Sequence, residues 1–73
     1  MSKINAGYTI TEEMDAGKLV IVLGENPKAP EPYVTWLFDK KTGGYGNGNY
    51  FKEYVLAIED LHKRAKEYAN LGC

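Results

Sequence analysis

Apolar residues along this chain keep two different periods. Between residues 52 and 70 they recur as Tyr54, Ile58, Leu61, Ala65 and Tyr68, at steps of four and three, which is one face of a helix. Val55, Ala57 and Ala69 widen that stripe, as in a helix lying on a sheet. The opposite face pairs Glu59 with Lys63, Asp60 with Arg64 and Lys63 with Glu67, and Asn70 with Gly72 supplies a stop. Before residue 52 the period is two. Tyr8 and Ile10 alternate with Thr9 and Thr11, predicting a half-buried strand over 8–13 that ends in the turn Asp15-Ala16-Gly17. Residues 18–23 form the most apolar strand, with Leu19, Ile21 and Leu23 on one face and Val20 and Val22 on the other. Apolar residues on both faces mark a central strand covered on both sides, or one with a lightly exposed side, paired with the first strand as a hairpin.

The segment 24–32 holds Pro27, Pro30 and Pro32 and so predicts a stiff connector, partly polyproline-like. Strand character returns over 33–39, where Val34, Trp36 and Phe38 alternate with Tyr33, Thr35 and Leu37, leaving open which face the helix covers. A turn at residues 40–44 leads into 45–51, a glycine-rich stretch that reads as an optional fourth, edge strand. The fold class predicted is α+β. It is a small two-layer domain in which an antiparallel three- to four-stranded β-meander packs against one C-terminal α-helix, β-β-β-(β)-α. The whole chain, 1–73, reads as one domain: 1–7 a loose N-terminal lead-in, 8–51 the sheet, 52–70 the helix.

Size and charge narrow the functions. Seventy-three residues make a small core. Cys73 is the sole cysteine, so no disulfide can form within the chain, and a reducing cytoplasm is the expected location. One histidine and one cysteine cannot build a Cys/His zinc site, and no cofactor motif occurs. Neither a secretory signal nor a membrane span is expected, because the longest fully apolar run is residues 19–23. Net charge is −1 and evenly spread; neither residues 1–51 nor the helix carries the basic excess usual in a duplex-binding module, which counts against one and leaves room for a local patch.

Candidate chemistry is sparse. His62 lies one residue off the apolar stripe, and Ser2 and Cys73, the nucleophiles a triad would need, lie at the two ends. Glu12 and Glu13 point to opposite faces of a strand and form no dyad. The glycines of 43–49 precede the helix, yet Asn49 breaks the G-x-G-x-x-G spacing counted from Gly44. Pro27 and Pro30 match P-x-x-P, but a rigid connector explains them better. No enzyme is expected. The aromatics are the informative feature: Tyr33, Trp36, Phe38, Tyr45, Tyr50 and Phe51 crowd the third strand and its neighbour, with Lys40 and Lys41 between them. Most should fill the core, while alternation leaves some rings on the open face as a contact surface. Tyr33, Trp36, Lys40, Lys41, Tyr45 and Tyr50 are the candidate surface residues.

The segments Ile4-Asn5-Ala6-Gly7-Tyr8-Thr9-Ile10, Val22-Leu23-Gly24-Glu25-Asn26-Pro27-Lys28-Ala29-Pro30 and Tyr33-Val34-Thr35-Trp36 carry a resemblance. Together they resemble a family of small uncharacterised proteins encoded on conjugative elements, plasmids and phages of Gram-positive bacteria. That family has a Trp-Gly-His-Tyr-like pattern where this chain has Gly46-Asn47-Gly48-Asn49-Tyr50-Phe51. The resemblance implies a cytoplasmic accessory protein of a mobile element that acts by binding. The small core, the aromatic-rich sheet with rings on its open face and the lack of a catalytic set make non-catalytic protein–protein contact the expected function, with a homodimer among the expected assemblies. The alternative is nucleic-acid binding through the aromatic sheet face and the Lys40-Lys41 turn.

Overall fold

The structure, a computed structural model, describes residues 3–71. Gly72, expected in the helix stop, and Ser2 and Cys73 lie outside the described residues. Five strands precede one helix: β1 (Lys3–Asn5), β2 (Tyr8–Ala16), β3 (Leu19–Glu25), β4 (Tyr33–Asp39), β5 (Tyr45–Phe51) and α1 (Tyr54–Leu71). The sheet order is β1-β2-β3-β4-β5 with every neighbouring pair antiparallel. This is the expected α+β meander beneath one helix, but with five strands rather than three or four.

The extra strand lies in the segment expected to be a loose lead-in. Asn5 pairs with Tyr8 across a two-residue turn whose central residues, Ala6 and Gly7, have φ of 51° and 85°. Positive φ at both positions is the type I′ pattern, whose twist matches that of the flanking strands. Alanine rarely adopts it, so the hairpin carries no turn signature in the sequence. The next turn also moves. β2 runs on to Ala16, and Gly17 (φ 80°) with Lys18 closes the hairpin, the Gly17 amide donating to Asp15 Oδ1 at 2.9 Å. The proline-rich connector is compact rather than polyproline-like. Asn26 N donates to the Pro32 carbonyl at 2.7 Å, and Ala29 N donates to the Asn26 carbonyl at 3.0 Å.

The helix covers Ala16, Ile21, Leu23 and Leu37 with Ala57, Leu61 and Ala65, and Met14, Leu19, Tyr33, Phe51, Ile58 and Tyr68 pack around them. The buried stripe is thus centred on Ala57, Leu61 and Ala65, two of them small enough to let the helix settle close to the sheet. Tyr54 and Val55 sit off this stripe, 41% and 56% exposed, and Ala69 is exposed as well. Burying a side chain such as Ile21, Leu23 or Leu61 contributes about 1.5–3 kcal/mol, against about 0.2–0.5 kcal/mol for an exposed i,i+4 charge pair. Packing holds the helix down; its surface charges only tune it.

One of the pairs expected on the outer face turns inward instead. Thr35 is wholly buried on β4, and its Oγ1 donates to Asp60 Oδ2 at 2.5 Å. Asn49 Nδ2 donates to the same oxygen at 3.3 Å, and Arg64 Nη1 donates to the Thr35 carbonyl at 3.3 Å. Arg64 Nε lies 3.7 Å from Asp60 Oδ2, with the two side chains 11% and 18% exposed. Rotation of the stripe toward Ala57 and Leu61 brings positions 60 and 64 over the β4–β5 half of the sheet. The result is a polar clamp joining α1 to β4 and β5, in which the buried Thr35 hydroxyl is satisfied.

Two bulges shape the sheet. Between Ile10 and Glu12 the β2–β3 register shifts by one residue, so Tyr8 and Ile10 face away from the helix while Met14 and Ala16 face it. Between Thr35 and Leu37, Asn47 and Gly48 together oppose Trp36, and Asn47 takes φ 52°. A Cβ on Gly48 would lie 2.7 Å from Trp36 Nε1 and 3.0 Å from Cδ1, whereas one on Gly46 meets nothing within 4 Å.

Two stability predictions follow from these contacts. In urea denaturation Gly48→Ala should cost about 1–3 kcal/mol by crowding the indole, while Gly46→Ala stays within about 0.5 kcal/mol of the parent. Equal effects at the two glycines would refute the close approach to Trp36. In a double-mutant cycle, Thr35→Val and Asp60→Ala should couple by about 0.5–3 kcal/mol. Strict additivity would show that the clamp holds nothing together.

Candidate functional site

The sheet face turned away from the helix is also apolar. Tyr8, Val22, Val34 and Trp36 are buried there, ringed by Ile10, Val20, Ala29, Phe38 and Tyr45. Trp36, 5% exposed, stands at the centre. Tyr8 meets it edge-on at 5.6 Å between ring centroids, Tyr45 at 5.8 Å and Tyr50 at 6.4 Å, and Tyr45 in turn meets Phe38 at 4.9 Å. Edge-to-face pairs of this kind add about 0.5–1.5 kcal/mol each beyond area burial. Two glycines make room for the indole. Gly48 lies against its pyrrole side, and a Cβ on Gly24 would come within 3.3 Å of Trp36 Cζ3 and 3.0 Å of Tyr8 Cβ.

Curling of the sheet gives this face part of its cover. Lys3 Nζ lies 6.0 Å from the centre of the Phe38 ring. β1 and β4 would be about 14 Å apart in a flat sheet. Strand curvature and the inward reach of the lysine close that gap. The 26–32 loop crosses one end of the face, where the Tyr8 phenol donates to the Glu31 carbonyl at 2.8 Å. Burial, followed by the nearby Tyr50 and Glu31, raises the Tyr8 phenol above its usual pKa. Tyr50 remains 45% exposed, and Ile10, Val20, Phe38 and Tyr45 are half-buried.

Of the six candidate surface residues, Trp36, Tyr45 and Tyr50 come together here. Tyr33 does not: it faces the helix, with its ring 5.6 Å from that of Tyr54. Lys40 and Lys41 occupy the β4–β5 turn. Lys40 Nζ donates to Asp15 Oδ2 at 2.7 Å and to the Gly17 carbonyl at 2.8 Å, tying that turn to the β2–β3 turn. Lys41 is exposed. Tyr8, Ile10 and Val20 belong to the face although they were not candidates; their signal was the single apolar side of the 8–13 strand and the second apolar side of the 18–23 strand. The glycine-rich 43–49 segment forms the β4–β5 turn and most of β5, and α1 begins only at Tyr54, so these glycines do not frame a helix entrance.

His62 is exposed, and among the described residues no three His, Cys, Asp or Glu side chains gather into a metal-binding group. No described helix is long and apolar enough to cross a membrane. Comparisons with protein-family models, curated proteins and solved structures give no match to this chain.

The Lys40 hydrogen bond and that of the Gly17 amide hold the Asp15 carboxyl below its ordinary pKa. A lowered carboxylate pKa adds stability above the unfolded value and loses it as pH falls through the folded one. An NMR pH titration of the Asp15 carboxyl should therefore show Lys40→Met moving its midpoint up toward that of an ordinary aspartate. An unchanged midpoint would show that the lysine does not act on Asp15 in solution.

Proposed function

We propose that this chain is a non-catalytic binding module that works through protein–protein contact, and that it pairs with a second copy of itself through the aromatic sheet face. One observation carries the reading. Both faces of the central strands are apolar, and the face opposite α1 has no second helix over it among the described residues: the curl of the sheet and the 26–32 loop bury its centre and leave Tyr50 45% exposed at its margin. An antiparallel sheet with one solvated side normally alternates apolar and polar residues. Here Ile10, Val20, Phe38, Tyr45 and Tyr50 form an apolar rim around buried Trp36, as at a contact surface whose centre excludes water. A second copy brings an identical apolar rim, and a two-fold pairing sets Tyr50 and its neighbours against their counterparts. The family resemblance adds the context of a cytoplasmic accessory protein of a mobile element.

The alternative, a nucleic-acid module using this face and the Lys40-Lys41 turn, draws less support. The rings contact one another edge-on, Trp36 has little open surface for a base, and the Lys40 ammonium is engaged by Asp15.

Light scattering coupled to size exclusion tests the dimer. The parent chain should run at twice its monomer mass at high micromolar concentration, and Tyr50→Lys should weaken the dimer at least about tenfold. A parent that stays monomeric throughout would sink the pairing. Salt-sensitive shifts of the Tyr45 and Tyr50 resonances on adding single-stranded DNA would put the nucleic-acid reading in its place.

A further inference from the structure

At the other end of the molecule the β2–β3 turn, the β4–β5 turn and the last part of α1 enclose a groove of about 670 Å³. Its floor is apolar, made by buried Ala16, half-buried Leu19 and the ring of Tyr68. Lys18, Lys40 and Lys41 stand on its rim. The one acidic side chain in the lining, Asp39, is turned into its own loop, where Oδ1 accepts the Lys41 amide at 2.8 Å and the Thr42 amide at 3.4 Å. Lys40 is held by Asp15. No ion pair engages Lys18 or Lys41 among the described residues.

The geometry points to a second binding site, separate from the aromatic face, that takes an acidic peptide segment of a partner protein. An apolar side chain of the segment sits on Leu19 and Tyr68, and flanking carboxylates meet Lys18 and Lys41. The volume lies within the range of about 300–1,000 Å³ usual for ligand sites. Charge selects the class of partner. Three lysines against Asp15 and Asp39 leave a local excess of one positive charge. That suits one or two carboxylates and is too little for a polyphosphate backbone, whose binding depends on neutralising many phosphates together. The floor offers a single ring, Tyr68, so successive bases have no platform on which to stack. Lys40, by fastening the two turns together, fixes the distance across the groove and leaves recognition to its neighbours.

The test is an NMR titration of the isotope-labelled full chain with a capped acidic peptide carrying one central leucine. Saturable shifts should appear at the Leu19, Lys41 and Tyr68 amides, and Lys18→Gln with Lys41→Gln should weaken binding about three- to tenfold. Replacing the peptide's leucine by serine should weaken it further. The absence of shifts at millimolar peptide would overturn the proposal, as would equal binding of a charge-reversed peptide. Tighter binding of oligothymidylate to the same amides would also overturn it. The titration is repeated in Tyr50→Lys, which disrupts the aromatic face and leaves the groove residues in place. Retained peptide binding there separates failure of the dimer from failure of the groove.

Discussion

The structure depends on one mismatch: its two central strands are apolar on both faces, and a single helix follows them. β3 sends Ile21 and Leu23 toward α1 and Val20 and Val22 away from it; β4 likewise divides Leu37 from Val34 and Trp36. One helix can cover only one side. The other side is closed by the sheet itself, through curvature that draws Lys3 toward Phe38 and through rings that fill the concavity edge to edge. Each irregularity serves that closure. The β2 bulge lets one strand supply Tyr8 and Ile10 to the curled face and Met14 and Ala16 to the helix face. The second bulge places Gly48 where any larger residue would collide with the indole.

Much of this was legible in the residues, and the limits have physical causes. The helix, the turn around Lys40 and the two-sided character of β3 follow from periodicity, because burial on this scale leaves a repeating pattern. β1 could not be read, since its turn places Ala6 at positive φ, a conformation dictated by pairing with β2 rather than by alanine's preference. A bulge inverts alternation without changing composition, so the division of β2 between two cores shows only once the register is known. Asp60 and Arg64 misled for a related reason. Their spacing is that of a solvated pair, and only the rotation of α1 turns them onto Thr35. In the candidate surface, Trp36, Tyr45 and Tyr50 were legible as a group, while Tyr33 sits one residue out of phase with Val34 and Trp36 and so belongs to the opposite face.

The two faces hold different kinds of interaction. Toward the helix, aliphatic packing is pinned by a polar clamp that fixes α1 in rotation; a slip of α1 would leave the Thr35 hydroxyl buried without its acceptor. On the far side no comparable clamp occurs among the described residues. The Tyr8–Glu31 hydrogen bond fastens the loop at one end, and the rest is ring against ring. A surface held by ring contacts, with Tyr50 at its margin still half open, can accept a partner without breaking a hydrogen bond first.

The sheet's edges bear on how such a partner would approach. β1 is three residues long and carries Lys3, a short and charged edge of the kind that resists strand addition. β5 is seven residues with neither a charge nor a proline, which by itself would invite pairing. Yet its ladder is interrupted at Asn47 and Gly48, in the middle of the strand, because Trp36 takes two residues opposite it. An added strand would meet a broken run of backbone donors and acceptors at the centre of the contact. The bulge that seats the indole therefore blunts the free edge as well. Growth of the sheet sideways is hindered by the same packing that leaves Tyr50 half open at the margin of the aromatic face.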